Sequence, residues 1–393
     1  MPKNPLEKIR EFFRSDVELT ELSEIPNMPL TSLRGVDLVY AQNLQEEHGI
    51  EKILDLAQID PLPEVPGLEQ AVLEKWVKIC SLVVNYSQQP SAEKKIILAG
   101  LDNAGKTSLL SVLQNKYSVI KNLLPTRGLS RETLEFFGMT LTAWDLGGQI
   151  AYREKLYFQK PELFFSDADL IIFVLDIQDT KRYDDALDYL ESILKAVTKL
   201  EENPLFLITF NKFDPDLTEN DEFLKNKGAL MAEITKIKGP FRMVFTQSSI
   251  YDRTSVERMF SIGFKEISQP AEALRFILKT YCERVKARAV TILSPAGMIY
   301  ESYAEEDADA EIIAQTSLIL QTLYRYHVDR GFPEEDVIEL TYPKSGTYFL
   351  GTRISDLDEA PLYFWIITAN PQESSELLEE LKQDIIPLLA MFI

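Results

Sequence analysis

Eight residues constrain this chain more than any other stretch: Gly100-Leu101-Asp102-Asn103-Ala104-Gly105-Lys106-Thr107. They follow the apolar run Lys95 to Ala99, which reads as a strand, and open Lys106 to Lys116, which has helical spacing. A strand that turns through glycines straight into a helix aims backbone N–H groups and the positive helix end at one point. That arrangement suits phosphate oxygens. The Lys106 ammonium would reach the outer phosphates and the Thr107 hydroxyl would face a divalent cation. The backbone of Asp102, Asn103, Ala104, Gly105, Lys106, Thr107 and Ser108 is expected to line the phosphate site.

The stretch 93–266 alternates strands and helices, so a mostly parallel α/β sheet is expected. Strands are expected at Thr133–Phe137 and Met139–Trp144 (a hairpin at Gly138), and at Leu170–Asp176, Leu205–Phe210 and Phe241–Thr246. Helices are expected at Tyr183–Leu200 and Thr254–Ile267.

Three more patterns fall in register with the loop. Trp144-Asp145-Leu146-Gly147-Gly148-Gln149 ends a strand. Asp145 could hold a Mg²⁺ hydration shell, the Gly148 N–H could bond a γ-phosphate, and Gln149 could orient the attacking water. Leu124-Pro125-Thr126-Arg127-Gly128 lies between, with Thr126 suited to completing the Mg²⁺ coordination. Asn211-Lys212-Phe213-Asp214 follows a strand. The Asp214 carboxylate could accept from guanine N1–H and N2–H₂, a donor edge adenine lacks. The Lys212 stem could pack on the base and Asn211 could bridge to the phosphate loop. Ser248 would support Asp214, and the Ser249 N–H would meet guanine O6.

The flanks differ from this middle. Net charge is −7 over 1–92, −3 over 93–266 and −11 over 267–393, within a total of −21. So acidic a surface disfavours nucleic acid and anionic membranes, and makes proteins with basic surfaces the expected partners. Two cysteines, Cys80 and Cys282, make no disulfide scaffold, and two histidines make no zinc cluster. No apolar run reaches membrane-spanning length, and neither end carries a lipidation pattern, so a cytoplasmic protein without a direct lipid anchor is expected. Residues 1–92 read as short helices: Pro5–Arg14, then Asp37–His48 and Ile50–Gln58 joined at Gly49. Gly67–Tyr86 follows, with Leu68, Val72, Trp76, Ile79 and Val83 on one face. Residues 267–393 read as an α+β module: a helix at Pro270–Lys286, several strands, a helix at Asp307–Tyr326 and a last helix at Pro371–Ala390.

On these motifs residues 93–266 resemble a small GTPase. Gly100–Thr107, Pro125-Thr126-x-Gly128 and Trp144–Gln149 look like the Arf/Arl family. Asp169–Asp176 and Ser248–Thr254 are similar to Rag GTPases, which carry a roadblock domain after the G domain. The resemblance implies three parts: a helical domain (1–92), a P-loop NTPase G domain (93–266) and a profilin-like roadblock/longin α+β domain (267–393). Thr107, Thr126 and Asp145 (through water) would serve Mg²⁺, and Gln149, Lys106 and Thr126 would serve GTP hydrolysis. Unlike Rag proteins the chain keeps Asn-Lys-x-Asp. Arg127 replaces the usual aliphatic residue; it is either an exposed effector-side residue or a cis-acting charge on the γ-phosphate. Asp102 stands where faster relatives carry Gly, which implies slow turnover and an activating protein. The first helices also resemble a helix-hairpin-helix unit; with net −7 that unit suits protein contact better than nucleic acid.

A GTP/GDP switch with protein effectors and regulators, and a homo- or heterodimer through 267–393, is the leading expectation. A non-hydrolysing nucleotide-binding scaffold and an ATPase are the alternatives; Gln149 and Asp214 speak against them respectively.

Overall fold

The computed structural model describes residues 5–88, 94–114, 116, 126, 128–136, 139–152, 156–217, 219–293, 299–333, 336–357 and 360–391. Pro125, Arg127, Phe137, Gly138 and the Pro295–Gly297 turn lie outside them. The chain divides into two compact units, 93–267 and 1–92 together with 268–393. The flanks, expected from sequence to be separate domains, thus form one unit into which the middle is inserted.

In the N-terminal part, α1 (Leu38–His48) starts where the Asp37 carboxylate accepts the Val39 N–H and stops at Gly49 in the left-handed region (φ 69°). α2 (Ile53–Ala57) follows, then α3 (Gln70–Gln88). The helix expected over Pro5–Arg14 is shorter: Pro5–Ile9, then a 3₁₀ turn over Arg10–Phe12. Leu68 precedes α3, whose buried face runs through Leu73, Trp76, Cys80, Val83 and Val84. It turns away from the expected stripe because α3 packs against both α2 and a C-terminal helix.

The 93–267 unit holds a six-stranded sheet in the order β2-β3-β1-β4-β5-β6. The strands are β1 (Lys94–Ala99), β2 (Leu129–Phe136), β3 (Met139–Leu146), β4 (Leu170–Asp176), β5 (Leu205–Asn211) and β6 (Met243–Ser248). All pairs are parallel except β2 with β3. β4 and β5 are apolar along nearly their whole length because helices cover both faces. Those helices are α4 (Lys106–Leu113), α5 (Tyr183–Lys199), α6 (Asp221–Ile237) and α7 (Arg253–Glu266). Sequence reading left α6 out.

The C-terminal part adds α8 (Gln269–Arg284), β7 (Ala289–Leu293), β8 (Ile299–Ala304), α9 (Asp307–Val328), β9 (Val337–Tyr342), β10 (Thr347–Leu357), β11 (Ala360–Thr368) and α10 (Leu378–Ala390). Its sheet is antiparallel in the order β8-β7-β11-β10-β9. α9 covers one face through Ile313 packed on Ala289, Leu293, Tyr363, Trp365 and Ile367. α8 and α10 pack together, and Tyr281 of α8 meets Phe364 edge to face. The helix expected over Pro371–Ala390 breaks at Leu377, whose φ of −90° and ψ of −4° interrupt the α-helical bond run. A Lys75–Asp384 ion pair (2.9 Å) and an Arg284–Glu380 pair (2.8 Å) lie where α3, α8 and α10 meet. Among the described residues no helix is long and apolar enough to cross a membrane.

Candidate functional site

In an open parallel sheet, ligand sites form beyond the carboxyl ends of the strands. The motifs meet there: the β1–α4 loop, Asp145 near the end of β3, Asn211 ending β5 and Ser248 ending β6. Register fixes the neighbours, with Leu98 beside Asp145 and Asn211 beside Ser248.

The β1–α4 loop curls as expected. Asn103 (φ 61°) and Gly105 (φ 97°) both take left-handed backbone. A Cβ on Gly105 would lie 2.3 Å from Asn211 Nδ2, so only glycine fits there. Asn211 Nδ2 donates to the Ala104 carbonyl at 2.7 Å, tying the end of β5 to the loop. Lys106 is buried at the start of α4, and its Nζ donates to the Gly100 and Leu101 carbonyls at 2.9 and 2.8 Å. The ammonium thus spans the loop at the positive end of the helix.

Three hard oxygens converge beside it. Thr107 Oγ1 and Thr126 Oγ1 both donate to Asp145 Oδ2, at 2.5 and 2.9 Å, and lie 2.9 Å from each other. Asp145 is only 2% exposed, and among the described residues its Oδ1 has no hydrogen-bond partner. Burial pushes its carboxyl above the ordinary value, opposed by the Thr107 hydrogen bond, the Lys106 charge and the Thr126 hydrogen bond. A buried carboxylate with an unpartnered oxygen beside two hydroxyls is a donor set for a hard divalent cation. Gly148 presses on the loop: a Cβ there would lie 2.1 Å from the Asp102 nitrogen. Gln149 follows at the start of a short helical turn, with its carbonyl accepting the Tyr152 N–H at 3.0 Å.

On the opposite side, Ser249 Oγ donates to Asp214 Oδ1 at 2.6 Å. Ser248 Oγ donates to Asn211 Oδ1 at 3.0 Å and lies 2.9 Å from Thr209 Oγ1. Ser248 therefore supports Asn211 rather than Asp214, and the Ser249 N–H, expected to meet guanine O6, donates instead to Ser255 Oγ at 2.9 Å. Lys212 (φ 58°) places its Nζ 2.7 Å from Asp176 Oδ2. The loop residues Asp102 to Ser108, with Lys106, Thr107, Thr126, Asp145 and Gly148, form one group. Asn211, Lys212, Asp214, Ser248 and Ser249 form the other, and the Asn211–Ala104 bond joins the two.

Two residues escaped sequence reading. Arg182 donates to Asp102 Oδ1 (3.0 Å), the Asp102 carbonyl (3.2 Å) and Asp179 Oδ2 (2.6 Å), clasping the loop from outside. Tyr157, fully buried, donates to the Gly128 carbonyl at 2.6 Å and lies 3.3 Å from the Gly147 carbonyl. The Gly147 N–H donates to the Gly128 carbonyl at 2.7 Å, so one phenol clamps the segments that follow Thr126 and Asp145. Asp102 lies 80 positions from Arg182 and Gly128 lies 29 from Tyr157, distances no local pattern marks.

Known proteins are similar to this chain over the region that carries the site. The model of the ADP-ribosylation factor family matches residues 80–261. The ADP-ribosylation factor-like protein alp41 of Schizosaccharomyces pombe is 32% identical over 161 residues, 40% of this chain and 78% of that protein. ADP-ribosylation factor-like protein 3 of Caenorhabditis elegans is 31% identical over 150 residues, 38% of this chain and 77% of that protein. The Ras-related GTP-binding protein A of Dictyostelium discoideum is 24% identical over 225 residues, 56% of this chain and 73% of that protein. Two relatives more than 30% identical and covered over more than three quarters of their length place the chain in the ADP-ribosylation factor family of small GTPases: it is a GTP-binding switch that hydrolyses GTP.

Proposed function

We propose that GTP is held and hydrolysed between the β1–α4 loop and the Thr126 and Gly148 segments, with Mg²⁺. The observation that carries this reading is the convergence of Thr107, Thr126 and the buried Asp145 carboxylate. Thr107 and Thr126 would hold the ion directly and Asp145 through water. The ion would neutralise charge on the β- and γ-phosphate oxygens.

The chain's own groups do the rest. Backbone N–H groups of Asn103 to Ser108 and the Lys106 ammonium bind the phosphates. The Gly148 N–H would bond the outermost phosphate. Its segment is ordered when that phosphate is present and released after hydrolysis. Gln149 orients the attacking water. Asp214, steadied by Ser249, accepts guanine N1–H and N2–H₂, and the Lys212 stem lies on the base. Turnover is slow, on the order of 10⁻⁴ s⁻¹ unaided, and is raised by an activating protein. Chelating Mg²⁺ should speed GDP release in the wild type and leave Asp145→Asn, already fast, unmoved. Equal sensitivity in both would refute the placement of the ion.

Residues 267–393 serve as a roadblock-type docking module. The strand order β8-β7-β11-β10-β9, with a helix between β8 and β9, supports this. We assign a second copy of the chain as its occupant. Edge strand β9 exposes Val337 and Tyr342, and α9 exposes Ile312, Ile319, Leu323 and Tyr326 at helical spacing. A second copy can add its own β9 to that edge. Light scattering of the full chain should give a dimer that Leu323→Lys splits. A monomer at every concentration would refute it, as would a dimer indifferent to Leu323→Lys.

A further inference from the structure

Gln178 belongs to none of the motifs above, yet it lies against the base-reading carboxylate. It sits two residues beyond Asp176, the last residue of β4. Its backbone N–H donates to Asp176 Oδ1 at 3.0 Å. The Ile177 N–H donates to the Asn211 carbonyl at 3.0 Å, which holds this turn against the end of β5. Gln178 Nε2 donates twice, to the Lys212 carbonyl at 2.7 Å and to Asp214 Oδ2 at 3.0 Å. Both partners are acceptors only, so the amide can face them only through its nitrogen.

Asp214 is thereby held from both sides, Oδ1 by Ser249 and Oδ2 by Gln178. An ionised carboxylate has about four acceptor positions, two on each oxygen. The protein fills one on each, and the remaining one on each oxygen matches the two parallel donors of guanine, N1–H and N2–H₂. Lys212, whose stem would carry the base, is fixed in the same way. Its left-handed backbone presents a carbonyl to Gln178, and its Nζ reaches Asp176 at 2.7 Å. One amide therefore steadies both the residue that reads the base edge and the residue that supports its plane.

We propose that Gln178 is a positioning residue for base recognition, orienting the Asp214 carboxylate and the Lys212 backbone for guanine. The inference rests on the reading of Asp214 as the guanine acceptor. Gln178 is exposed, so substituting it leaves the core intact. In Gln178→Ala, release of both GDP and GTP should be about tenfold faster, the net worth of one hydrogen bond to a charged acceptor. The rate constant for hydrolysis of bound GTP should not change.

Gln178→Glu gives a readout that a loss of structure would not. Two carboxylates would then face each other, and such a pair keeps a proton that a lone carboxylate loses. GDP affinity of Gln178→Glu should fall as rising pH removes that shared proton. Release from Gln178→Ala within twofold of wild type, or a flat profile for Gln178→Glu, would overturn the proposal. Asp214→Asn separates the two levels: it should trade preference for GDP against xanthosine diphosphate. If it does not, the reading of Asp214 fails. If it does while both Gln178 variants behave as wild type, only the role of Gln178 fails.

Discussion

Gly105→Ala tests how the two halves of the site are joined. Gly105 takes φ 97°, where a residue with a Cβ is strained. Left-handed backbone costs such a residue ~1–2 kcal/mol. The new Cβ would also lie 2.3 Å from Asn211 Nδ2, far inside contact distance. Asn211 is 1% exposed and is occupied in its 2.7 Å bond to the Ala104 carbonyl. Driving it off strands a buried donor and acceptor, worth a further ~1–3 kcal/mol. The sum of ~2–5 kcal/mol should appear as GDP affinity weakened by roughly thirtyfold to several thousandfold. Asn211→Ala removes the atom that the methyl group strikes. In that background Gly105→Ala should cost only the backbone share, leaving a coupling of ~1–3 kcal/mol between the two sites. Release of a fluorescent GDP analogue from the wild type, the two single variants and the double variant measures it. Costs that add to within ~0.5 kcal/mol would show that the collision with Asn211 is not the mechanism.

Other expectations follow from charges that the motifs do not contain. Arg182→Gln frees the Asp102 carboxylate beside the phosphates; because that pair is partly exposed, GTP affinity should weaken about two- to fivefold relative to GDP, and Asp102→Asn should restore it. Equal loss for both nucleotides in competition binding would contradict this. In the other unit, burial raises the Asp384 carboxyl above its ordinary value of 3.8 and Lys75 opposes that rise. A carboxyl raised in the folded state contributes stability that is lost as pH climbs through the folded value. Lys75→Met raises it further, so urea unfolding should find the variant weaker by ~1–3 kcal/mol at neutral pH and less so near pH 4. A deficit independent of pH would refute the assignment to Asp384.

The site was legible where chemistry is local. Gly100–Thr107, Asp145, Asn211 and Asp214 each sit at a strand end, and the structure brings them together there. What local pattern could not supply was pairing at long range. Arg182 meets Asp102 across 80 residues, and Ser248 turned to Asn211 because the parallel register sets them side by side. The α6 helix was overlooked although Asn220 caps it and Asp221 and Glu222 open it, a start signal present in the sequence. The union of the flanks was hidden for the same reason as Arg182: Lys75 and Asp384 are 309 residues apart.

Phosphate release from GTP bound to the full chain, followed in a single turnover with Mg²⁺, tests the central claim most directly. The wild type should release phosphate on the order of 10⁻⁴ s⁻¹. Gln149→Leu should bind GTP as tightly and release phosphate at least tenfold more slowly, the share of a positioned catalytic group. Release from Gln149→Leu at the wild-type rate, or none from the wild type, would contradict the assignment of this site to GTP hydrolysis.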